Sequence, residues 1–209
     1  MSELMEQSIT LLFGTSNTGK MQAMRKHISS LNIRLLSLHD IDAALPDIDE
    51  SGTNPLDNAR IKALAYYNAA RMPVFSCDSG LFIKGAPLEM QPGVHVRTIN
   101  GTYLSDEEMI IYYSELAKNM GGQMTVQYRN GICLVMNENE IYEYTGDDIA
   151  GEEFIITSIP HTRRTSGFPL DSLSIHIGSG KYYYDLDKFK NRSSMDDGFQ
   201  NFFKRVFEK

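Results

Sequence analysis

The first stretch able to do chemistry is GTSNTGK at positions 14–20, directly after a short apolar run. A strand, a glycine-containing turn and a helix start bring backbone N–H groups and the positive end of a helix dipole to one point, where anions bind. Lys20 can reach a phosphate there, and Thr15, Ser16 and Asn17 offer short polar side chains. A plain strand-to-helix turn with a solvated lysine is the alternative.

The spacing G-x-x-x-x-G-K is also that of a P-loop. A P-loop has Ser or Thr after the lysine, because that hydroxyl binds Mg²⁺. This chain has Met21 at that position. The pattern therefore leaves open a P-loop, a chance match and a different phosphate-binding turn.

Two carboxylates stand where they can hold a cation. Glu50 lies in an acidic loop, and Asp78 follows a predicted strand, at the carboxyl edge where α/β proteins keep their ligands. Carboxylate oxygens suit Mg²⁺, and Asp78 can also take a proton from an attacking water. Asn58 and Lys62 are four residues apart on one predicted helix face and can point at one ligand. The alternative interpretations are a solvated acidic loop for Glu50, an Asp that starts a turn for Asp78, and solvent-facing side chains without a ligand for Asn58 and Lys62.

The stretch SGFPLD at 166–171 combines an aromatic ring with a carboxylate. Phe168 can lie against a planar base, and Asp171 can accept hydrogen bonds from its N–H donors. A loop with a buried Phe is the alternative interpretation of the same residues.

The elements that must position these residues begin with a strand–helix–strand–helix–strand order, which predicts an α/β fold with a central sheet. The predicted strands are 9–13, 33–38 and 73–77, and the helices are 18–31 and 56–71, with Pro55 at the second helix start.

The second half is richer in strands. Ser105 and Glu108 form a capping-box pattern that opens a helix to about residue 120. Four strands separated by Asn-Gly or Gly-Asp turns predict an antiparallel meander, at 124–128, 132–136, 141–145 and 153–157, followed by a last helix at 197–207. We expect two lobes, one α/β and one strand-rich, with a cleft between them.

Composition narrows the class of protein. The 209 residues are 42% apolar and 22% charged, as in a globular protein, and the net charge of −7 argues against non-specific nucleic-acid binding. Cys77 and Cys133 have no metal-ligand spacing, which favours buried thiols in a reducing compartment. Without an apolar run of about 20 residues or a signal-peptide pattern, we expect a cytoplasmic protein with no membrane partner.

Six motifs in order carry a resemblance to the inosine triphosphate pyrophosphatase family, over about residues 9 to 205. Members of that family hydrolyse non-standard purine nucleoside triphosphates to the monophosphate and pyrophosphate. The motifs are T-x-N-x-G-K at 15–20, ESGTNPLDNARIKA at 50–63, CDSGL at 77–81, PGV with Arg97, GFPLDS at 167–172 and Lys190-Asn191.

The resemblance implies a single domain of two lobes around a central mixed sheet, with a nucleotide cleft, and a homodimer. It also implies roles for residues. Asp78 is the base, Glu50 and Asp78 hold Mg²⁺, and water attacks the α-phosphate. The substrate is held by residues of several motifs, namely Thr15, Ser16, Asn17, Thr18, Gly19, Lys20, Lys62, Ser79, Gly80, Phe168, Asp171 and Lys190. Met21 is then no defect, because this family uses no hydroxyl at that position.

Three departures from the family pattern bear on activity and specificity. Cys77 replaces the first Asp of D-D-S-G-L, and a thiol is a poor Mg²⁺ ligand. Pro169-Leu170 stands where the family has an aromatic residue, so a surface for stacking is missing here. Met195-Asp196 stands where the family has His-Arg, which read the 6-oxo edge of the base; Asp196 accepts hydrogen bonds where those residues donate them.

Three alternative hypotheses therefore remain open in addition to a hydrolase of inosine or xanthosine triphosphate. One is the same reaction on a different base. Another is a nucleotide sensor with little or no catalysis. The third is a P-loop NTPase, against which the missing hydroxyl and the strand-rich second half both argue.

Overall fold

The structure is a computed structural model that describes residues 8–186 and 194–208. Its principal sheet is mixed and hydrogen-bonds in the order β10-β9-β8-β6-β3-β1-β2, with β7 paired to β6. The strands are β1 (Ile9–Phe13), β2 (Ile33–Leu36), β3 (Val74–Ile83), β4 (Thr98–Ile99), β5 (Thr102–Tyr103), β6 (Gln123–Asn137), β7 (Glu140–Tyr144), β8 (Phe154–Thr157), β9 (Ser174–His176) and β10 (Lys181–Tyr182).

The helices of the described residues are α1 (Thr18–His27), α2 (Pro55–Ala70), α3 (Asp106–Asn119) and α4 (Ser194–Phe207), and short 3-10 turns include Leu88–Met90, Asp147–Ile149, Pro169–Leu173 and Tyr183–Asp185. The predicted α/β class with a central mixed sheet is confirmed. None of the helices described here is long and apolar enough to cross a membrane.

The chain divides into two compact units. The first contains the described residues up to Ser79, Arg129–Ala150 and α4, and the second contains Gly80–Tyr128 and the described residues from Gly151 to 186. A single domain with a nucleotide cleft stays a prediction.

The first unit is built on parallel pairing of β1 with β2 and with β3. Side chains from β1, α1, β3 and β6 form its main core together with three phenylalanines of α4, Phe199, Phe202 and Phe203. Strand β1 and helix α2 lie where the sequence predicts them. Helix α1 is shorter than the predicted 18–31 and ends at His27, because the chain then tightens into a turn in which Ser29 N donates to the Lys26 carbonyl (3.3 Å) and Leu31 N to the Ile28 carbonyl (2.9 Å).

Strand β3 corrects the sequence prediction that a strand ends at Cys77. It continues to Ile83, because Leu81 and Gly93 exchange backbone hydrogen bonds of 2.8 and 2.9 Å in the second unit. A Cβ on Gly80 would lie 2.9 Å from the Gly93 carbonyl oxygen, so glycine is what allows this close pairing. Asp78 is therefore an interior residue of a strand and does not start a turn at the sheet edge.

Strand β6 corrects a second prediction. The sequence Asn130-Gly131 indicates a hairpin turn between strands 124–128 and 132–136, but a single strand runs from Gln123 to Asn137. Asn130 is buried and donates its side-chain amide to the Ile149 carbonyl (2.6 Å), so a contact distant in sequence satisfies the polar group that the turn was expected to expose.

Gly131 in β6 packs directly against the start of α2. A Cβ there would lie 2.4 Å from Leu56 N and 2.5 Å from Leu56 Cα, and backbone atoms cannot rotate away. We expect Gly131→Ala to lower the free energy of unfolding by about 2 kcal/mol or more, measured by urea denaturation. Gly151→Ala is the control, because its Cβ would meet no atom nearer than 3.6 Å. Equal losses in both variants would contradict the packing argument.

The second unit has its own core, between α3 and the strands β6 and β8. The predicted capping box is present: Ser105 Oγ accepts from Glu108 N, and Glu108 Oε2 accepts from Ser105 N (2.8 Å). Strands β6, β8, β9 and β10 pair antiparallel in succession, which confirms the strand-rich character of this half.

Candidate active site

The N-terminus of α1 follows β1 directly through residues 14–17. Asn17 is its N-cap: its side-chain oxygen accepts from Lys20 N (3.0 Å), and Thr15 Oγ1 accepts from Asn17 N (3.2 Å). These two side chains therefore shape the turn. Among the described residues, the backbone N–H groups of Thr18 and Gly19 make no hydrogen bond, as expected in the first helical turn, and an anion can use them.

Four charged side chains form a connected cluster, all within the first unit. Lys62 Nζ lies 3.0 Å from Glu50 Oε2 and 3.0 Å from Asp78 Oδ1. Lys20 Nζ lies 3.2 Å from the same Asp78 oxygen. The formal charges of the four groups cancel. Helix α1 therefore supplies Lys20, helix α2 supplies Lys62, and strand β3 supplies Asp78, as the spacing of the motifs suggests.

The four side chains of the cluster differ in how far they are buried. Lys62 and Asp78 are almost fully buried, whereas the Glu50 side chain is about half exposed (49%) and Lys20 is partly exposed (35%). A buried ion pair persists only when each charge has partners. The exposed carboxylate and the exposed ammonium are the members that a ligand can recruit with least disruption.

Burial and the neighbouring lysines act in opposite directions on the Asp78 carboxyl. Burial alone would raise its pKa, but Lys20 and Lys62, with hydrogen bonds from Lys62 and Asn58, outweigh burial and lower the pKa below its ordinary 3.8. Burial likewise opposes the charge on Lys62, yet Asp78 and Glu50 raise its pKa above 10.5. Both groups are therefore ionised at neutral pH.

Asn58 is an organising residue of the site. Buried on α2, it accepts a hydrogen bond from Gly52 N at its Oδ1 (2.8 Å) and donates to Asp78. It thus ties the loop of Glu50 to the strand of Asp78. Its position four residues before Lys62 is the signal that indicated a shared ligand-facing side of the helix.

Asn130 is a residue that sequence reasoning missed. Its Oδ1 accepts from Ser79 Oγ (2.7 Å), so β6 fixes the hydroxyl next to Asp78. The local sequence Asn-Gly resembles a turn, and no signal in the chain connects position 130 with position 79. Ser79 itself was predicted as a substrate ligand, and in the described residues its hydroxyl is engaged with Asn130.

Cys77 points away from this cluster. It belongs to the hydrophobic core of the first unit, because side chains alternate along β3, and burial raises its thiol pKa to about 11. Cys133 is also buried, and burial raises the pKa of its thiol to about 12. The prediction of two buried free thiols is confirmed.

The predicted base-contacting residues lie in the second unit. Phe168 is 49% exposed, so the alternative of a buried Phe is wrong. Asp171 is partly buried, burial raises its pKa, and among the described residues its carboxylate has no hydrogen-bond partner. Gly80 lies within β3 beside Gly93. Lys190 and the side chains of Met195 and Asp196 lie outside the described residues.

Comparisons with known proteins show which proteins this chain is similar to. A family model described as the Ham1 family matches residues 11–195. A dITP/XTP pyrophosphatase from Geobacter sulfurreducens is 30% identical over 164 residues, which are 78% of each chain. One with the same name from Anaeromyxobacter is 38% identical over 80 residues, but this stretch is only 37% of this chain and 35% of that relative.

A solved HAM1 protein from Coxiella burnetii has the same fold. The two structures superpose with a TM-score of 0.75 at 22% sequence identity. The match covers 96% of this chain and 100% of the Coxiella chain. The family match extends from β1 into α4, so it includes the turn at 14–17, both carboxylates and residues 166–168, the SGF segment. The motif resemblance to the inosine triphosphate pyrophosphatases is confirmed, and the chain belongs to the Ham1 family.

Proposed function

We propose that this protein is a nucleoside triphosphate pyrophosphohydrolase, which converts a non-standard purine nucleoside triphosphate to the monophosphate and pyrophosphate. One observation carries the proposal: two lysines and two carboxylates are linked by three ion pairs of 3.0–3.2 Å, and one of the lysines, Lys20, lies in the first turn of α1. The names of the Geobacter and Anaeromyxobacter relatives, dITP/XTP pyrophosphatase, support the same reaction and substrate class.

The triphosphate is held by cations and backbone amides. Lys20 and Lys62 supply two positive charges, and the N–H groups of Thr18 and Gly19 supply the hydrogen-bond donors and dipole of α1. Charge placed in advance around a reacting phosphate stabilises the charge that develops in the transition state.

The donor set fits a hard divalent cation, and we propose Mg²⁺. Glu50 and Asp78 are two carboxylates held by one ammonium, and Mg²⁺ in nucleotide enzymes binds through one or two carboxylates plus phosphate oxygens. Three or more acidic, His or Cys ligands are not grouped anywhere in the described residues, so the protein alone supplies only part of a coordination shell. When bound, the cation offsets charge on the phosphate oxygens.

Asp78 is the proposed general base. Its lowered pKa keeps it ionised at neutral pH, so it can accept a proton from the water that attacks the α-phosphorus. The bond from the α-phosphorus to the bridging oxygen breaks, and pyrophosphate leaves. Asn58 and Lys62 orient the carboxylate through hydrogen bonds.

The base is bound by the SGF segment in this proposal. The half-exposed ring of Phe168 can stack on a purine, and Asp171 can accept from its N–H donors. The acceptor Asp196 in place of the family's Arg favours a second candidate, the same reaction on a base with an exocyclic amine. A homodimer in the cytoplasm, without nucleic-acid or membrane partners, completes the proposal on the strength of the resemblance and the net charge of −7.

A substrate panel tests the proposal. Purified protein with Mg²⁺ is given each common and deaminated nucleoside triphosphate, and pyrophosphate and orthophosphate are measured separately. We expect pyrophosphate, with inosine or xanthosine triphosphate as the best substrate. Pyrophosphate released mainly from a nucleoside triphosphate with a different base would favour the second candidate. Orthophosphate would support a P-loop NTPase instead, and binding without turnover would support a sensor.

A further inference from the structure

A polar network in the second unit holds the turn that carries Phe168. Residues 165–168 form a tight turn, in which Phe168 N donates to the Thr165 carbonyl (3.0 Å). Gly167 has a φ of +80°, a conformation that favours glycine, and this is the value expected at the third position of a type II turn. The direction of the Phe168 ring therefore depends on how this turn is held.

Asp106 holds the turn from outside. Its Oδ2 accepts from Gly167 N (2.7 Å), an N–H group that the turn itself leaves without a partner. Its Oδ1 lies 2.8 Å from Arg97. The hydrogen bond from Gly167, followed by those from Arg97, lowers the pKa of the Asp106 carboxyl below 3.8, so the group stays ionised.

Arg97 is itself fixed in place. It donates to the Leu104 carbonyl (3.1 Å), and its guanidinium lies 5.6 Å from the centre of the Tyr103 ring. The far end of the turn is held separately, because Tyr184 donates its hydroxyl to Thr165 Oγ1 (2.8 Å). Asp106 is thus the member of the network that contacts the residue next to Phe168.

We infer that Asp106, fixed by Arg97, is a positioning residue that sets Phe168 for the base of the substrate. Asp106 begins α3, and the negative charge there is also favourable to the helix, so the carboxylate serves both the helix and the turn. The inference rests on the proposed function, because it assigns to Phe168 a role in binding the base. It predicts that changing Asp106 weakens the binding of the base and leaves the binding of the phosphates unchanged.

The test compares a full substrate with its phosphate part alone. For Asp106→Ala we expect KM for inosine triphosphate to rise roughly tenfold or more, because a charge-assisted hydrogen bond is lost. We expect kcat to change less than about threefold, and the inhibition constant of inorganic tripolyphosphate less than about twofold, because neither depends on the turn. Asp106→Asn keeps an acceptor for Gly167 N and should lie closer to wild type than the alanine variant.

Glu115→Ala, an exposed acidic residue of the same helix, is the control and should match wild type. An unchanged KM in Asp106→Ala, or a parallel rise in the tripolyphosphate constant, would overturn the inference. Dissociation constants of inosine triphosphate and tripolyphosphate, measured calorimetrically with EDTA present, repeat the comparison without turnover. A wild-type protein that binds both but hydrolyses neither would refute the proposed function while this comparison still decides the role of Asp106.

Discussion

Asp78→Asn is expected to lower kcat for pyrophosphate release by about 10³-fold, within the range attributed to a general base. Asparagine keeps the size of the side chain and an oxygen that can accept from Lys62, but it cannot take a proton. The same change removes the negative charge that Lys20 and Lys62 share at 3.2 and 3.0 Å. The measurement is single-turnover kinetics with saturating enzyme.

Two controls separate chemistry from folding in this variant. Asp147→Asn removes an exposed carboxylate of the first unit and should leave kcat unchanged. Thermal unfolding should show that Asp78→Asn is folded, and the nucleotide should still bind. A folded variant that keeps more than a tenth of the wild-type rate would show that Asp78 is not the base.

Lys62→Met is expected to lower kcat/KM by about 10²- to 10³-fold, the range seen when one preorganised donor is removed from a charged transition state. Methionine keeps the apolar length of the side chain in a buried position. The two carboxylates then lose the ammonium that both contact at 3.0 Å. The variant therefore loses a proposed phosphate contact and one of the two positive neighbours of Asp78.

The pH dependence gives this variant a distinctive signature. Lys62 lowers the pKa of Asp78, so its removal should raise that pKa, and the acid limb of kcat/KM should move to higher pH. In the wild type, an Asp78 pKa below 3.8 keeps the base ionised until the pH falls below that value. Lys84→Met, which breaks an exposed pair with Glu153 (2.8 Å), should change neither the rate nor the profile. An acid limb that does not move would contradict the coupling between Lys62 and Asp78.

The local part of the site could be predicted from the sequence. Lys20 and Lys62 lie in helices that the apolar spacing predicts, the second of them starting at Pro55, whereas the family resemblance assigned both lysines to the phosphates. Apolar periodicity also predicted β1 and α2 well, because both elements bury one regular face. These features depend on residues within one turn or one strand of each other.

The remainder depends on contacts that are distant in sequence. Ser79-Gly80 and Asn130-Gly131 both resemble turns, yet both lie inside strands. The absence of a side chain at these glycines leaves room for a close backbone neighbour, which is the Gly93 carbonyl at Gly80 and Leu56 at Gly131. The link from Asp106 to Gly167 spans 61 residues, and nothing in the local pattern announces it. Tertiary packing overrides turn propensity at these points.

The central claim is that water attacks the α-phosphorus while Asp78 accepts its proton. The most direct test is hydrolysis of the preferred nucleoside triphosphate in ¹⁸O-labelled water, followed by mass spectrometry of both products. The account predicts one labelled oxygen in the nucleoside monophosphate and none in the pyrophosphate. Label in pyrophosphate would place the attack on the β-phosphorus, and label in orthophosphate would mean hydrolysis of the terminal phosphate; either result would contradict the proposed reaction.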